Sequence, residues 1–157
     1  MIMSDKAVVF LAGKEEYALP IEYVHSIEKP GGITLIPHMP AYVLGLSDIR
    51  GELIPLIDLE NVLFQSEASG NPAEMKWILV KIDGLTAGLA VRDAKEIVEI
   101  PQESIKQIGL AAYEKTSFIS GVASLPESRL IAIINPDQLM NSLEGIRELK
   151  AYMDEMK

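Results

Sequence analysis

His25 and His38 are the first side chains to weigh for chemistry, because a neutral imidazole can bind a metal or move a proton near neutral pH. His25 lies in "YVHSIEK" and His38 in "IPHMPAY", fenced by prolines as an exposed loop is. Their spacing suits no shared metal site, and neither stands beside a serine in the glycine-flanked turn of a nucleophile elbow. Ser26 is a neighbour of His25 in sequence only, since adjacent strand positions point to opposite faces. The acids Asp58, Glu60, Asp83, Asp93, Glu96 and Glu99 are scattered, and are expected to cap turns or solvate outward faces. "GKEEY" and "PGGIT" are turn chemistry, without the strand, glycine loop and helix of a phosphate site. With one Trp, five Tyr and three Phe not interleaved with basic residues, there is no stacking platform for nucleic acid either. Nothing here supports catalysis; a hydrolase using His25 with an acid is the enzymatic rival.

Arg50 raises a different possibility. In "SDIRGEL", Gly51 permits a tight or left-handed turn between two strands. One reading makes Arg50 a hairpin cation held by Asp48 or Glu52, worth about 0 to 1 kcal/mol as an exposed pair. The other uses its planar fork and apolar stem, with Ile49 and Leu53 beside it, as the centre of a protein interface.

These residues need elements to position them. A chain of 157 residues can bury a real core, as one domain or two intimately packed subdomains. Its apolar runs stay below the roughly 18 residues of a spanning helix, and no export leader is recognisable, so direct membrane insertion is not expected. Absence of cysteine fits a reducing compartment. A net charge of −9 repels phosphate backbones and anionic lipid, so nucleic acid is not an expected partner.

Short branched runs predict strands at 7–13, 17–21, 32–36, 42–47 and 52–59, then at 76–82, 86–91, 95–100, 118–125 and 129–135. The polar stretch "FQSEASGNPAEMK" between the two series reads as a surface connection. Tyr17–Ile21 aligns with Ala87–Val91, Tyr42–Leu46 with Phe118–Val122, and Leu53–Asp58 with Leu130–Asn135, at an offset of about 70 residues or a little more. This predicts two small β-subdomains of about five strands each, pseudo-symmetric, curled into barrels and sharing an apolar seam. Their limits are 14–75 and 76–135. A C-terminal helix is expected over 136–156, with Asn135 as N-cap and Pro136 at the first helical position. Leu139, Leu143, Ile146, Leu149 and Met153 form its apolar stripe, expected to cover a barrel, and Gly145 weakens its middle by up to about 1 kcal/mol.

The stretch "YALPIEYVHSIEKPGGITLIPHMPAYVLGLSDIRGELIPLIDL" (17–59) resembles the first half of a CheW domain, the bacterial chemotaxis coupling module. The signature is Gly45, Ile49-Arg50-Gly51, Pro55 and Asp58, and the likeness continues through "TAGLAVRDAKEIVEI" (86–100) and "FISGVASLPESRLIAIINPDQLM" (118–140). The resemblance implies a mainly β, non-catalytic adaptor with two SH3-like β-barrel subdomains, cytoplasmic and without a cofactor. It implies two partners: the cytoplasmic tip of methyl-accepting chemotaxis receptors, and the regulatory domain of a CheA-type histidine kinase. Val24, Arg50 and Gly88 match the family's receptor-binding positions, in a groove between subdomains, and Gly88 is expected to let a helical hairpin approach closely. Ile21 and Ser26 match its kinase-binding positions. There are departures: Val24-His25-Ser26-Ile27 lacks the acid of Val-x-Glu-Ile, Val91-Arg92-Asp93-Ala94 replaces Val-Asp-x-Val, and Asn135 stands where an aspartate is expected. With no phosphate-receiver module following, a stand-alone adaptor is expected; the rival from another class is a small-ligand module with an inter-subdomain cavity.

Overall fold

A computed structural model describes residues 5–65, 74–106 and 118–156. The strands that read as uninterrupted apolar runs lie inside sheets, where both faces need covering. Such are β1 (Lys6–Ala12), between β8 (Asp93–Glu99) and β2 (Glu15–Pro20), and β6 (Lys76–Ile82), between β3 (Val24–Glu28) and β7 (Leu85–Val91). One sheet has six strands, in the order β8-β1-β2-β11-β10-β9, with β9 Ile105–Lys106, β10 Ile119–Leu125 and β11 Arg129–Ile134. The other has five, β3-β6-β7-β5-β4, with β4 Val43–Ile49 and β5 Glu52–Asp58.

The internal repeat holds, but sheet membership crosses the division at residues 75 and 76. Each sheet joins the opening hairpin of one repeat to the later strands of the other, through parallel pairs of β2 with β11 and β7 with β5. Ala18 lies opposite Ile133 and Gly88 opposite Leu56, the equivalence that the repeat alignment predicts. Gly45 and Gly121 also correspond. Both follow a register shift, and a Cβ there would come within 2.5 Å of the Thr34 carbonyl oxygen and 2.8 Å of Ile105 Cγ2, respectively. The strand expected at 32–36 shrinks to one bridge, Thr34 to Leu46, with Gly31-Gly32 before it and Pro37 after. Neither sheet closes into a barrel: among the described residues, β8 and β9 bound one sheet and β3 and β4 the other.

Three apolar clusters follow from this layering. Val8, Phe10, Leu19, Ile57, Ile78 and Leu89 form part of the seam between sheets, while Val9, Ala18 and Ile131 fill the curl of the six-stranded sheet. Ile54, Leu56, Trp77, Leu79 and Ala90 fill the curl of the five-stranded one. At about 25 cal/mol per Å² of apolar surface, the seam is the larger source of stability.

The C-terminal segment is two helices, α2 (Pro136–Ser142) and α3 (Ile146–Glu155), preceded in the chain by the short α1 (Leu59–Phe64). Gly145 breaks the expected single helix by adopting a left-handed φ of 81°, where glycine alone escapes a Cβ penalty. The break seats Gly145 against Pro40, and the Tyr42 hydroxyl donates to the Glu144 carbonyl at 2.7 Å. Leu139, Leu143, Leu149 and Met153 are buried on the seam as the stripe predicts. The substitution at Asn135 keeps its role: its side chain accepts from Gln138 N–H at 3.2 Å, as Asp58 accepts from Glu60 N–H at 3.1 Å at the start of α1. Helix α1 is too short for periodicity to reveal.

Candidate functional site

Ile49 pairs with Glu52, leaving Arg50 and Gly51 as a two-residue hairpin loop, with φ values of 53° and 86°. Positive φ at both positions is the type I′ turn whose twist matches paired strands. Asp48 does not hold the guanidinium; its side chain accepts from the Gly51 N–H at 2.8 Å. Nor does Glu52. Arg50 Nη2 instead donates to both carboxylate oxygens of Glu28, at 2.9 and 3.2 Å. Glu28 ends β3 and Arg50 follows β4, the two edges of the five-stranded sheet, so this ion pair spans the opening where backbone pairing stops. The Arg50 side chain remains 70% exposed, which limits the pair to about 0 to 1 kcal/mol and leaves the cation available. Glu28 also answers the missing acid of Val-x-Glu-Ile: a carboxylate does stand on β3, two positions after Ser26.

Clefts flank the turn on both sides. One, of about 190 Å³, opens at the mouth of the sheet's curl and includes His25, Ile49, Arg50, Lys81 and Thr86. The other, of about 300 Å³, lies between Gly51, Leu53, Gly84 and Leu85 and the end of α3 at Met153 and Met156. Leu53 and Met156 are 39% and 43% exposed, an apolar rim beside the cation. His38 lies elsewhere, exposed at a left-handed φ of 65°, so the two histidines do not converge.

A bulge at His25 decides how β3 presents its residues. Val24 pairs with Val80 but Ser26 pairs with Leu79, so the two face opposite sides although strict alternation would align them. Val24 is half-buried on the seam; Ser26 faces the curl, its hydroxyl buried and without a hydrogen-bond partner among the described residues. Ile21, in a one-turn 3-10 segment (Ile21–Tyr23), also packs on the seam. Ile27 beside Ser26 is 44% exposed, and its repeat counterpart Ile97 on β8 is 59% exposed.

Gly88 lies inside the sheet. It is buried in the middle of β7, and a Cβ there would come within 2.7 Å of Leu56 Cδ2. The missing side chain makes room for Leu56. The seam itself is filled by the largest cluster, and two clefts border the Arg50 turn, one of them reaching α3.

Glu60, expected to cap a turn or solvate an outward face, does otherwise. It is buried, its Oε1 accepting from the Gly13 N–H at 2.7 Å and from Arg92 Nε at 2.8 Å, which ties α1 to the β1–β2 turn and to the β7–β8 junction. The signal available was Arg92 itself, placed where the Val-Asp-x-Val pattern has an acid. No described helix is long and apolar enough to cross a membrane.

Two curled SH3-like sheets with an exposed arginine turn define an interaction module. Residues 6–144 match the sequence model of the CheW-like domain. The chemotaxis protein CheW of Helicobacter pylori is 29% identical over 131 residues, covering 83% of this chain and 78% of that protein. Protein FrzA of Myxococcus xanthus is 32% identical over 134 residues, covering 85% of this chain and 83% of its own length. The crystal structure of the scaffolding protein TtCheW from Thermoanaerobacter tengcongensis superimposes with a TM-score of 0.78 at 34% identity, covering 91% of this chain and 96% of that one. The chain belongs to the CheW-like domain family, the adaptor modules of chemotaxis signalling.

Proposed function

We propose that the chain is a cytoplasmic, non-catalytic adaptor that couples the tips of methyl-accepting chemotaxis receptors to the regulatory domain of a CheA-type histidine kinase. The observation that carries this reading is the Arg50 turn, a rigid type I′ hairpin presenting a 70% exposed guanidinium beside apolar clefts on an acidic chain. Arginine at such a point supplies both charge-assisted hydrogen bonds and apolar contact. Val24 and Gly88 contribute to the receptor side from within, by setting the packing of the five-stranded sheet. On the kinase side, Ser26 and Ile21 shape the β3 edge, and Ile27 supplies the exposed apolar contact. The adaptor transmits by favouring one state of its partners, not by chemistry.

The test is co-sedimentation of the full chain with a receptor cytoplasmic fragment. Arg50→Glu weakens binding at least about tenfold, roughly 1.4 kcal/mol, with the melting temperature held within about 2–4 °C. Glu28→Gln separates two roles. If Arg50 meets the partner, releasing it from Glu28 preserves binding; equal losses in both variants would reduce Arg50 to a staple of the sheet and overturn the assignment.

A further inference from the structure

A cavity of about 680 Å³, larger than either cleft at the Arg50 turn, lies away from that turn and shares no lining residue with those clefts. One wall is the 36–42 segment, the other the first turns of α3 and the residues before it. Four of its lining residues, Gly145, Glu148, Leu149 and Tyr152, lie beyond residue 144, where the match to the family ends.

Its walls are apolar and held in place. Ile36, Met39 and Pro40 face Leu149 and Tyr152. Pro37 and Pro40 restrict the loop, which carries His38 in the left-handed region between them. The Tyr42 hydroxyl is bonded across the groove floor to the Glu144 carbonyl, and Gly145 is seated on Pro40. A groove already formed spares a ligand the cost of ordering it. The rim, by contrast, is charged in one sense. Glu144 and Glu148 are exposed, and among the described residues neither has an ion-pair partner. His38 is the one lining residue able to become a cation. The Tyr42 hydroxyl registers this field: burial first, then Glu148 and Glu144, raise its pKa.

We propose that this groove docks an amphipathic basic segment of a partner protein, seating an apolar side chain between Met39 and Leu149 and a lysine or arginine against Glu144 and Glu148. Apolar walls need an apolar anchor, while unpaired carboxylates beside tyrosine rings favour a cation on the same segment. The site is additional to the receptor and kinase surfaces and does not depend on their assignment.

The isotope-labelled full chain is titrated with a peptide of about twelve residues repeating Leu-Arg-Lys-Leu, and with its counterpart carrying Gln at every basic position. The basic peptide is expected to shift the amides of 36–42 and 144–152, and the Gln peptide to leave them still. Glu144→Gln with Glu148→Gln weakens binding at least about fivefold, while Glu15→Gln with Glu103→Gln, which removes equal charge elsewhere, changes it less than about twofold. Ala41→Arg, placing a cation of the chain's own in the groove, abolishes the shifts without moving the melting temperature. The proposal is overturned by equal losses in both double variants, by binding of the Gln peptide, or by shifts centred on the Arg50 turn. Sedimentation showing self-association that Ala41→Arg removes, with no peptide binding, would also overturn it and assign the groove to a second copy.

Discussion

Gly88→Ala isolates the reason for a glycine at the centre of the five-stranded sheet. The backbone there is not in the left-handed region, so steric crowding alone decides the outcome. The new methyl would stand 2.7 Å from Leu56 Cδ2, whereas carbon atoms rest at about 3.5–4.0 Å, so Leu56 must retreat by about 1 Å. Leu56 is wholly buried, among Ile54, Trp77 and Leu79. Overpacking of this kind costs about 1–3 kcal/mol, offset by about 0.4–1 kcal/mol from the stiffer unfolded chain. The net loss is about 1–2 kcal/mol, or roughly 2–8 °C in melting temperature. Urea titrations followed by the fluorescence of the single, buried Trp77 measure it. Leu56→Val shortens the side chain in conflict, so the double variant should be about 1 kcal/mol more stable than the summed single effects. Receptor co-sedimentation should recover with stability. A neutral Gly88→Ala, or zero coupling to Leu56→Val, refutes the packing argument. Binding that stays lost after stability returns would instead restore Gly88 as a direct contact.

Two ionisable groups give pH signatures. Burial, helped by Glu148 and Glu144, pushes the Tyr42 hydroxyl from the usual 10.0 up to about 12. A raised folded value means stability that is complete below the unfolded pKa and lost as pH rises through the folded one, so the protein should weaken between about pH 10 and about pH 12. Tyr42→Phe should lose about 1 kcal/mol at neutral pH and show a shallower decline, since the raised Tyr17 and Tyr23 hydroxyls remain. Burial likewise raises Asp58 above 3.8, against the N–H groups of Asn61 and Glu60 that lower it. By the same sign, the stability of the parent relative to Asp58→Asn should fall as pH climbs past 3.8. Urea midpoints from about pH 3 to about pH 7 test this; a constant difference would remove Asp58 as the cause. Asparagine can hold the cap, as Asn135 does.

Much of the architecture was legible because it rests on neighbours in the chain. Apolar runs at β1, β6 and β7, the Arg50-Gly51 turn and the cap at Asn135 follow from local pattern and turn chemistry. The repeat alignment also makes the two parallel pairs equivalent, Ala18 with Ile133 corresponding to Gly88 with Leu56. What it could not reveal is which repeat each hairpin joins, since the equivalent strands of the two repeats offer similar edges.

That exchange then determines the rest. Arg50 finds Glu28 rather than Asp48 because curling brings the sheet edges together. The His25 bulge sends Val24 and Ser26 to opposite faces, Leu56 claims the space above Gly88, and Pro40 meets the left-handed Gly145 where a continuous helix is otherwise expected. Alternation, turn type and capping are properties of a few consecutive residues and can be read from sequence. Ion-pair partners, crowding and grooves belong to residues tens of positions apart, whose meeting is decided only when the sheets close around their shared seam.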